Sequence, residues 1–222
     1  MSARAYLEAV LPLVERLGAE PGIEQAAHAV AAAIGGGGKV WLTPTNHTLP
    51  TEATERAGGM VAVHALRDTI SVQPGDCVIH GTPAGTSAFD VELAIAVKRR
   101  GAALVALTSV AFEDDPNTVV EHVSGKRLHE LADVVVDLAG PVGDGLFENA
   151  ELGFRVIPHS GVTGVTALWM IFAEATALLA AEGKTARFYE AAVVMGARER
   201  NERERADYLE TGLGYRTTQA TV

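Results

Sequence analysis

Short apolar segments alternate with helical segments over most of the chain, and this alternation leaves only a few layered folds open to it. Strands that are buried on both faces read as continuous apolar runs, and the helices between them serve as crossovers. The pattern therefore predicts an α/β fold, a three-layer α/β/α sandwich with a five-stranded parallel sheet. The strand-like runs are residues 39–42, 61–66, 76–79, 102–107, 134–138 and 154–157.

Helical periodicity and the position of the strands divide the chain into three parts. We expect residues 1–38 to form an N-terminal helix pair that packs on the main domain, residues 39–195. Residues 196–222 are crowded with charge and form either a solvated helix or an arm that packs on a second subunit. The other predicted helices span residues 3–17, 23–34, 49–56, 88–100, 125–131 and 163–182.

Charge and hydropathy narrow the possible partners. The chain has 18 Lys and Arg against 28 Asp and Glu residues, a net charge of −10, which repels a nucleic-acid backbone. A small anion can still bind, because backbone N–H groups and helix N-termini hold anions locally. The apolar stretch 162–181 contains Glu174 and several small residues, so we expect a buried helix and no membrane span. Without a signal-peptide pattern at the N-terminus, the expected location is the cytoplasm.

The residues that usually bind metal ions are sparse and scattered. The chain has one cysteine, Cys77, which excludes an internal disulfide and a paired-cysteine metal site. Its seven histidines form no H-E-x-x-H pattern. We therefore expect no metal and no cofactor.

Three loops that follow predicted strands are rich in hydroxyl side chains. Because the carboxyl ends of parallel strands meet at one edge of a sheet, we expect these loops to lie side by side and to hold a ligand. Hydroxyl and amide groups in such loops also cap helices, and that role alone explains each loop equally well in isolation. The candidate ligand-binding residues are Thr45 and Asn46, then Thr82, Gly85, Thr86 and Ser87, and then Thr108 and Ser109.

Three short motifs stand out: the strand end 106–109 reads ALTS, the loop 122–133 reads HVSGKRLHELAD, and residues 56–59 read RAGG. These motifs resemble the sugar isomerase (SIS) domain family, and in particular its phosphosugar-binding subgroup related to the phosphoheptose isomerases. The resemblance extends from the N-terminal helices to Gly161. It implies a flavodoxin-like fold, a sugar phosphate as ligand, aldose–ketose isomerisation, and assembly into a homodimer or homotetramer.

The same resemblance implies roles for individual residues. Glu52 matches the family's acid/base glutamate, and the candidate partners that act on the substrate oxygens are His47, His122 and His80. Isomerisation needs such a pair, since a base must move a proton between neighbouring carbon atoms. Lys126 and Ser160 join the candidate substrate-binding residues.

The sequence also departs from the family pattern at the first loop and at the last core helix. Leu42 and Pro44 stand where the family has glycines, and Asn46 stands where it has a phosphate-binding serine. The helix 163–182 has no histidine, although phosphoheptose isomerases have one on it. Two alternatives therefore stay open: a non-catalytic sugar-phosphate sensor, and an isomerase that acts on a non-phosphorylated sugar.

Overall fold

The central feature of the computed structural model is a sheet of five parallel strands. The structure describes residues 2–44, 49–113 and 115–217. The strands are β1 (Val40–Leu42), β2 (Val63–Ala65), β3 (Cys77–Gly81), β4 (Ala103–Thr108) and β5 (Val134–Asp137). Their order across the sheet is β2-β1-β3-β4-β5, and each neighbouring pair is parallel. The predicted α/β fold with its five-stranded parallel sheet is confirmed.

Helices cover both faces of this sheet. The helices of the described chain are α1 (Ala3–Leu17), α2 (Pro21–Gly35), α3 (Leu49–Ala53), α4 (Ala88–Arg99), α5 (Ser160–Ala181) and α6 (Ala197–Thr211). One apolar cluster joins α2, α3 and α5 to one face of the sheet, and a second cluster joins α4 to the opposite face. The helices α3 and α4 therefore lie on opposite faces of the sheet.

A buried carboxylate ties the start of β1 to the start of β3. Asp76, directly before β3, accepts hydrogen bonds from the indole N–H of Trp41 at 2.7 Å and from the backbone N–H groups of Lys39 and Gln73 at 2.8 and 2.9 Å. A buried carboxylate is tolerated when its lone pairs are occupied in this way. Asp76 thus fixes the two strands that flank the candidate site.

Two predicted helices are shorter than expected. Residues 125–131 form only a 3₁₀ turn at Leu128–Glu130, because Gly125 has a φ of +69° and breaks the helical path. The helix predicted for residues 49–56 ends at Ala53, and Glu55 has a left-handed φ of +51°. Both corrections come from backbone conformations that apolar periodicity does not encode.

The strand predicted at residues 154–157 lies outside the central sheet. It forms β7 (Phe154–Pro158), which pairs antiparallel with β6 (Gly145–Asn149) in a separate two-stranded sheet. A short apolar run does not reveal which strand it will pair with. The hairpin leads directly into α5 and so places the first residues of that helix.

The C-terminal segment folds back on its own chain. A second antiparallel hairpin joins β8 (Lys184–Ala186) to β9 (Tyr215–Thr217) on either side of α6. The hydroxyl of Tyr208 on α6 lies 2.8 Å from Nε2 of His64 on β2, and Arg187 binds the buried carboxylate of Glu204 at 2.7 Å. The segment therefore packs beside β2, whether or not it also meets a second subunit.

Helix α5 is long and apolar enough, by length and composition, to cross a membrane, with a mean hydropathy of 1.6 over its best window. A core helix meets the same criteria, and α5 buries Leu168, Ile171 and Leu179 in the cluster that it shares with α2. We interpret it as a core helix, as the sequence predicted.

Candidate active site at the carboxyl edge of the sheet

The site lies at the carboxyl ends of β1, β3 and β4. The chain leaves β1 towards β2 and leaves β3 towards β4, in opposite directions, so a crevice forms between the ends of β1 and β3. Open α/β sheets bind ligands at this kind of topological switch point. The predicted loops all start at this edge.

A buried chain of hydrogen bonds crosses the crevice. Nε2 of His80, on β3, lies 2.8 Å from Oδ1 of Asp90 on α4, and Nδ1 of the same ring lies 2.7 Å from Oγ1 of Thr43, next to β1. All three side chains are buried. An ionised carboxylate can only accept, so Nε2 of a neutral His80 carries the hydrogen and Nδ1 accepts from the hydroxyl of Thr43.

Asp90 also caps the helix on which it lies. The hydroxyl of Ser87 accepts from the backbone N–H of Asp90 at 3.1 Å, and the Asp90 carboxylate accepts from the backbone N–H of Ser87 and from the hydroxyl of Thr82, each at 3.3 Å. Burial raises the pKa of Asp90, but the hydrogen bonds from His80 and Ser87 outweigh it, so that the pKa lies below its ordinary value. The buried carboxylate is therefore charged at neutral pH.

The second and third predicted loops meet in the structure. The carbonyl oxygen of Pro83 accepts from the backbone N–H of Ser109 at 3.0 Å and from the hydroxyl of Thr108 at 3.4 Å. Gly85 has a φ of +64°, and a Cβ there would come within 2.8 Å of the Cβ of Leu128. The second loop and the segment at Leu128 can approach this closely because residue 85 has no side chain.

Most of the predicted ligand-binding hydroxyls bind protein atoms. Thr82 and Thr108 donate to Asp90 and to Pro83 as described above, Ser87 caps α4, and the hydroxyl of Ser109 accepts from the backbone N–H of Gly140 at 3.3 Å. Thr86 differs, because its hydroxyl makes no hydrogen bond within the part of the chain that the structure describes.

The loop that precedes β5 binds alongside the start of α4. The backbone N–H of Glu121 donates to the carbonyl of Thr86 at 3.0 Å, and that of Leu128 donates to the carbonyl of Gly85 at 2.8 Å. These two bonds bring the segment 121–128, which carries His122 and Lys126, next to the turn at Thr86. The ammonium group of Lys126 forms no ion pair or hydrogen bond with any residue in the described ranges.

His122 is held by two neighbours. Its Nε2 lies 2.9 Å from Oε1 of Glu92 on α4, and its Nδ1 lies 2.7 Å from the hydroxyl of Ser124 and accepts the backbone N–H of the same residue. The Glu92 carboxylate fixes the tautomer with hydrogen on Nε2. The imidazole is therefore oriented, and it can exchange a proton through Nε2.

An internal carboxylate occupies the first N–H group of α4. Oε2 of Glu121 accepts from the backbone N–H of Ala88 at 3.2 Å. Helix N-termini favour negative charge at this position, whether it belongs to a side chain or to a ligand. A phosphate at the same position would compete with Glu121.

Glu52 lies on the other side of the crevice. It is on α3, which covers the sheet face opposite to α4, and its half-exposed carboxylate pairs with Arg56 one turn later. The guanidinium of Arg56 lies 5.7 Å from the ring centre of Trp169 on α5. The described structure shows no contact between Glu52 and His122, so these two candidates act together only across the width of the crevice.

A second buried histidine follows the β6–β7 hairpin. Nε2 of His159 lies 3.3 Å from Oδ1 of Asp144, and Nδ1 lies 3.1 Å from the hydroxyl of Thr163. The predicted ligand residue Ser160 also binds Asp144, through its hydroxyl at 2.9 Å and its N–H at 3.1 Å. Burial lowers the pKa of His159, although the charge of Asp144 opposes this, so the imidazole is neutral at neutral pH.

The backbone around His159 contains unusual conformations. Ala139, Asp144 and Ile157 have left-handed φ values of +56°, +60° and +63°. The imidazole lies directly on Gly140, where a Cβ would come within 1.7 Å of Nε2. Non-glycine residues in this region carry a backbone cost that surrounding contacts must offset, and such residues often cluster at functional sites.

Some predicted site residues fall outside the described residues, namely Thr45, Asn46 and His47. Within the described ranges, no group of three or more His, Cys, Asp or Glu side chains is arranged to hold a metal ion.

Sequence reasoning missed Asp90, Asp144 and His159 as members of the site. The spacing of Ser87 and Asp90, S-x-x-D before an apolar helix, is the pattern of a capping box and points to Asp90. The link between Asp90 and His80 depends on how β3 and α4 pack, which the spacing of the two residues does not determine.

The chain is similar in sequence to proteins of the UPF0309 family. No family model matches the chain. A UPF0309 protein of Brucella ovis (strain ATCC 25840) is 32% identical over 200 residues, which cover 77% of this chain and 80% of the relative. A UPF0309 protein of Brucella suis (strain ATCC 23445) is 31% identical over the same shares of the two chains.

Solved structures show the same fold at low sequence identity. A protein of E. coli CFT073, solved in complex with A5P, has a TM-score of 0.53 at 17% identity, over 78% of this chain and 87% of that one. The phosphoheptose isomerase GmhA of Neisseria gonorrhoeae has a TM-score of 0.53 at 16% identity, over 80% and 96%. The NanR protein of Vibrio vulnificus, complexed with ManNAc-6P, has a TM-score of 0.51 at 12% identity, over 93% and 69%.

Proposed function

The chain belongs to the UPF0309 family and has the sugar isomerase (SIS) fold, and from this premise we propose that it binds a sugar phosphate and isomerises it between aldose and ketose. Proteins of the same fold have been solved with A5P and with ManNAc-6P, and one is a phosphoheptose isomerase. These ligands support a sugar phosphate as the class of substrate.

The observation that carries the proposal is the contact between the turn at Thr86 and the segment 121–128. The backbone bonds from Glu121 and Leu128 place the segment that carries Lys126 and the oriented His122 beside the turn that carries Thr86. A hydroxyl and a cation that have no partner among the described residues suit a phosphate group. An oriented histidine beside them suits proton transfer on the sugar that carries the phosphate.

We assign the proton transfers to Glu52 and His122. The carboxylate of Glu52 takes the proton from the carbon next to the carbonyl and returns it to the neighbouring carbon. The Nε2–H group of His122, once it leaves the Glu92 carboxylate, hydrogen-bonds to the carbonyl oxygen as negative charge develops there. The proton of the adjacent hydroxyl passes to that oxygen, so that His122 is neutral before and after the transfer. Since α3 and α4 lie on opposite faces of the sheet, the substrate must span the crevice between them.

A second candidate function is the same reaction on a non-phosphorylated sugar. The carboxylate of Glu121 already occupies the Ala88 N–H group at the start of α4, and the hydroxyls of Ser87 and Thr108 bind protein atoms. Both features reduce the number of donors that remain for a phosphate. This candidate differs from the first only in what the Thr86 turn binds.

Ligand-induced thermal stabilisation separates the two candidates. Sugars with and without phosphate, matched in carbon skeleton, are added to the full-length chain and the melting temperature is recorded. The first candidate predicts that a phosphorylated sugar gives the larger shift. Stabilisation by unphosphorylated sugars alone would replace it with the second.

Exchange of substrate hydrogen with heavy water then tests catalysis. We expect the bound sugar to gain deuterium at the carbon next to the carbonyl, and Glu52→Gln to abolish the exchange while binding persists. Glu24→Gln, at an exposed position on α2, is the matched control and should exchange normally. Binding without any exchange in the unmodified protein would identify a sensor and not an enzyme.

We further propose that the protein assembles into a homodimer or homotetramer through α5. Val162 is 42% exposed, and Trp169 and Met170 are only partly buried on a helix that is otherwise apolar. Exposed apolar faces of this kind commonly mark interfaces. Light scattering at micromolar concentration should give the mass of two or four chains, whereas a monomer would refute the assembly.

A further inference from the structure

A cavity of about 440 Å³ opens beside the candidate site, between α4 and the loop that follows β2. It begins at Pro44, directly after the buried hydroxyl of Thr43, and runs along α4 as far as Ala96. Its place at the carboxyl side of β1 and β2 makes it continuous with the edge where the crevice lies.

The floor and one wall of the cavity are apolar. Leu66 and Leu93 are almost fully buried beneath it, and Pro44 and Phe89 stand at its sides. Phe89 is 52% exposed, although it lies in a concave surface in the first turn of α4. An aromatic ring left open in a concave site favours a ligand with an apolar face.

The rim of the cavity carries both a cation and carboxylates. The guanidinium of Arg67 makes no hydrogen bond or ion pair with residues in the described ranges. Asp68 and Glu92 line the same cavity, and the carboxylate of Glu92 is already turned towards His122. The rim therefore offers donors and acceptors together, and its net negative charge makes it a poor site for the phosphate itself.

We propose that this cavity binds the carbon skeleton of the sugar, with its C–H face on Phe89 and its hydroxyl groups on Arg67 and Glu92. A sugar combines these surfaces, because its C–H bonds present a weakly positive face and its hydroxyls both donate and accept. The C–H face meets the negative face of the aromatic ring, and the hydroxyls pair with the guanidinium and the carboxylates. The inference rests on the proposed function and specifies where the sugar lies.

The position of the cavity relative to His80 and His122 supports this assignment. The ring of Phe89 lies 6.5 Å from the ring of His80, centre to centre, and Glu92 holds His122 at 2.9 Å. A phosphate at Thr86 and Lys126 and a sugar in the cavity would thus share the first two turns of α4.

Protection of an introduced thiol tests the cavity directly. The native thiol of Cys77 is buried, and burial raises its pKa to about 12, so it does not react with alkylating reagents at neutral pH. Ala96→Cys places a reactive thiol in the cavity wall, and Ala192→Cys places one on an exposed loop far along the chain as the control. The probes are glucose 6-phosphate, fructose 6-phosphate and arabinose 5-phosphate, with the corresponding free sugars.

We expect a probe that stabilises the protein to slow alkylation of Ala96→Cys about fivefold or more at saturation, and to leave Ala192→Cys unchanged. Equal alkylation rates with and without a stabilising probe would overturn the cavity assignment and leave the proposed function intact. If no probe stabilises the unmodified protein, the proposed function and the cavity assignment both fail.

Side-chain variants provide a second measurement. Phe89→Ala and Arg67→Gln should each weaken binding of the stabilising probe about tenfold, since each removes one of the contacts that recognise the sugar. Arg99→Gln, at the exposed end of α4, is the matched control and should bind normally. Unchanged affinity in both cavity variants would overturn the assignment.

Discussion

Asp90 Oδ1 lies 2.8 Å from His80 Nε2, and both side chains are buried where α4 begins. Through the other ring nitrogen, the pair reaches Thr43 at the end of β1. One carboxylate thus connects the two strands that flank the crevice with the helix whose first turns carry the proposed binding groups. The geometry of the candidate site depends on this contact.

Asp90→Asn should destabilise the protein by about 1.5–3 kcal/mol at neutral pH, the usual contribution of a hydrogen bond to a buried charged group. It leaves the His80 ring without its anionic acceptor and weakens the cap of α4. Urea unfolding monitored by circular dichroism measures the loss. Asp115→Asn, in an exposed loop, is the control and should cost much less.

We also expect the destabilisation caused by Asp90→Asn to depend on pH. The folded-state pKa of Asp90 lies below its ordinary value, so its contribution is complete above about pH 4 and is lost as the pH falls through the lower folded-state value. The difference in unfolding free energy between the native protein and Asp90→Asn should therefore shrink in acid. A difference that stayed constant down to the acid transition would contradict the charged state assigned to Asp90.

Gly140→Ala should be among the most damaging small substitutions in the chain. The added Cβ would come within 1.7 Å of the His159 ring, which must move away from Asp144. We expect a loss of about 2–4 kcal/mol, as for other clashes in packed interiors. Gly161→Ala is the matched control, since its Cβ meets nothing within 4 Å and alanine favours the helix. Comparable stability of the two variants would contradict the packing described.

We expect the protein to lose stability at mildly acidic pH because of His159. Its folded-state pKa lies below the ordinary value, so the unfolded chain binds the proton more readily, and stability is lost as the pH falls through about 6.5. His159→Gln should reduce the fall in melting temperature between about pH 7.5 and 5.5. Burial also lowers the pKa of His64, so part of the pH dependence of the melting temperature should remain in this variant. His28→Gln, at an exposed position, is the control. If the melting temperature of His159→Gln falls with pH as steeply as that of the native protein, the assignment is refuted.

Glu121→Gln should improve the binding of phosphorylated sugars relative to unphosphorylated ones. The carboxylate occupies the Ala88 N–H group, and neutralising it removes a competing charge from the helix N-terminus. The expected gain is about two- to fivefold in relative affinity, measured by calorimetry. The exposed Glu151→Gln should change neither affinity. A loss of phosphate binding in Glu121→Gln would show that Glu121 supports the site and does not compete with the ligand.

The sequence predicted the layers of the fold closely because burial controls them. The apolar runs that became β3, β4 and β5 differ from the observed strands by one or two residues, since a strand covered on both faces must be apolar along its length. The hairpin of β6 and β7 was not predicted as a unit. Its two strands are half-exposed and short, and the hydropathy pattern does not determine which strands pair.

The candidate site was predicted less completely. The hydroxyl-rich loops do meet at one edge of the sheet, because chain direction alone decides where parallel strands end. Which hydroxyls face a ligand was not predictable, since Thr108 and Ser109 are turned to backbone atoms of loops distant in sequence. The bonds of His80 to Thr43 and Asp90 likewise join residues that only the packing of α4 brings together.

The way the C-terminal segment returns to the outermost strand has a consequence for handling the protein. Phe188 is bridged to Met60 just before β2, and Tyr208 is bonded to the side chain of His64, so the C-terminal segment covers part of the outer side of β2. Open strand edges recruit further strands and lead to aggregation. A chain truncated before β8 would lose this cover together with the core residues Ala186 and Tyr208, and we expect it to aggregate.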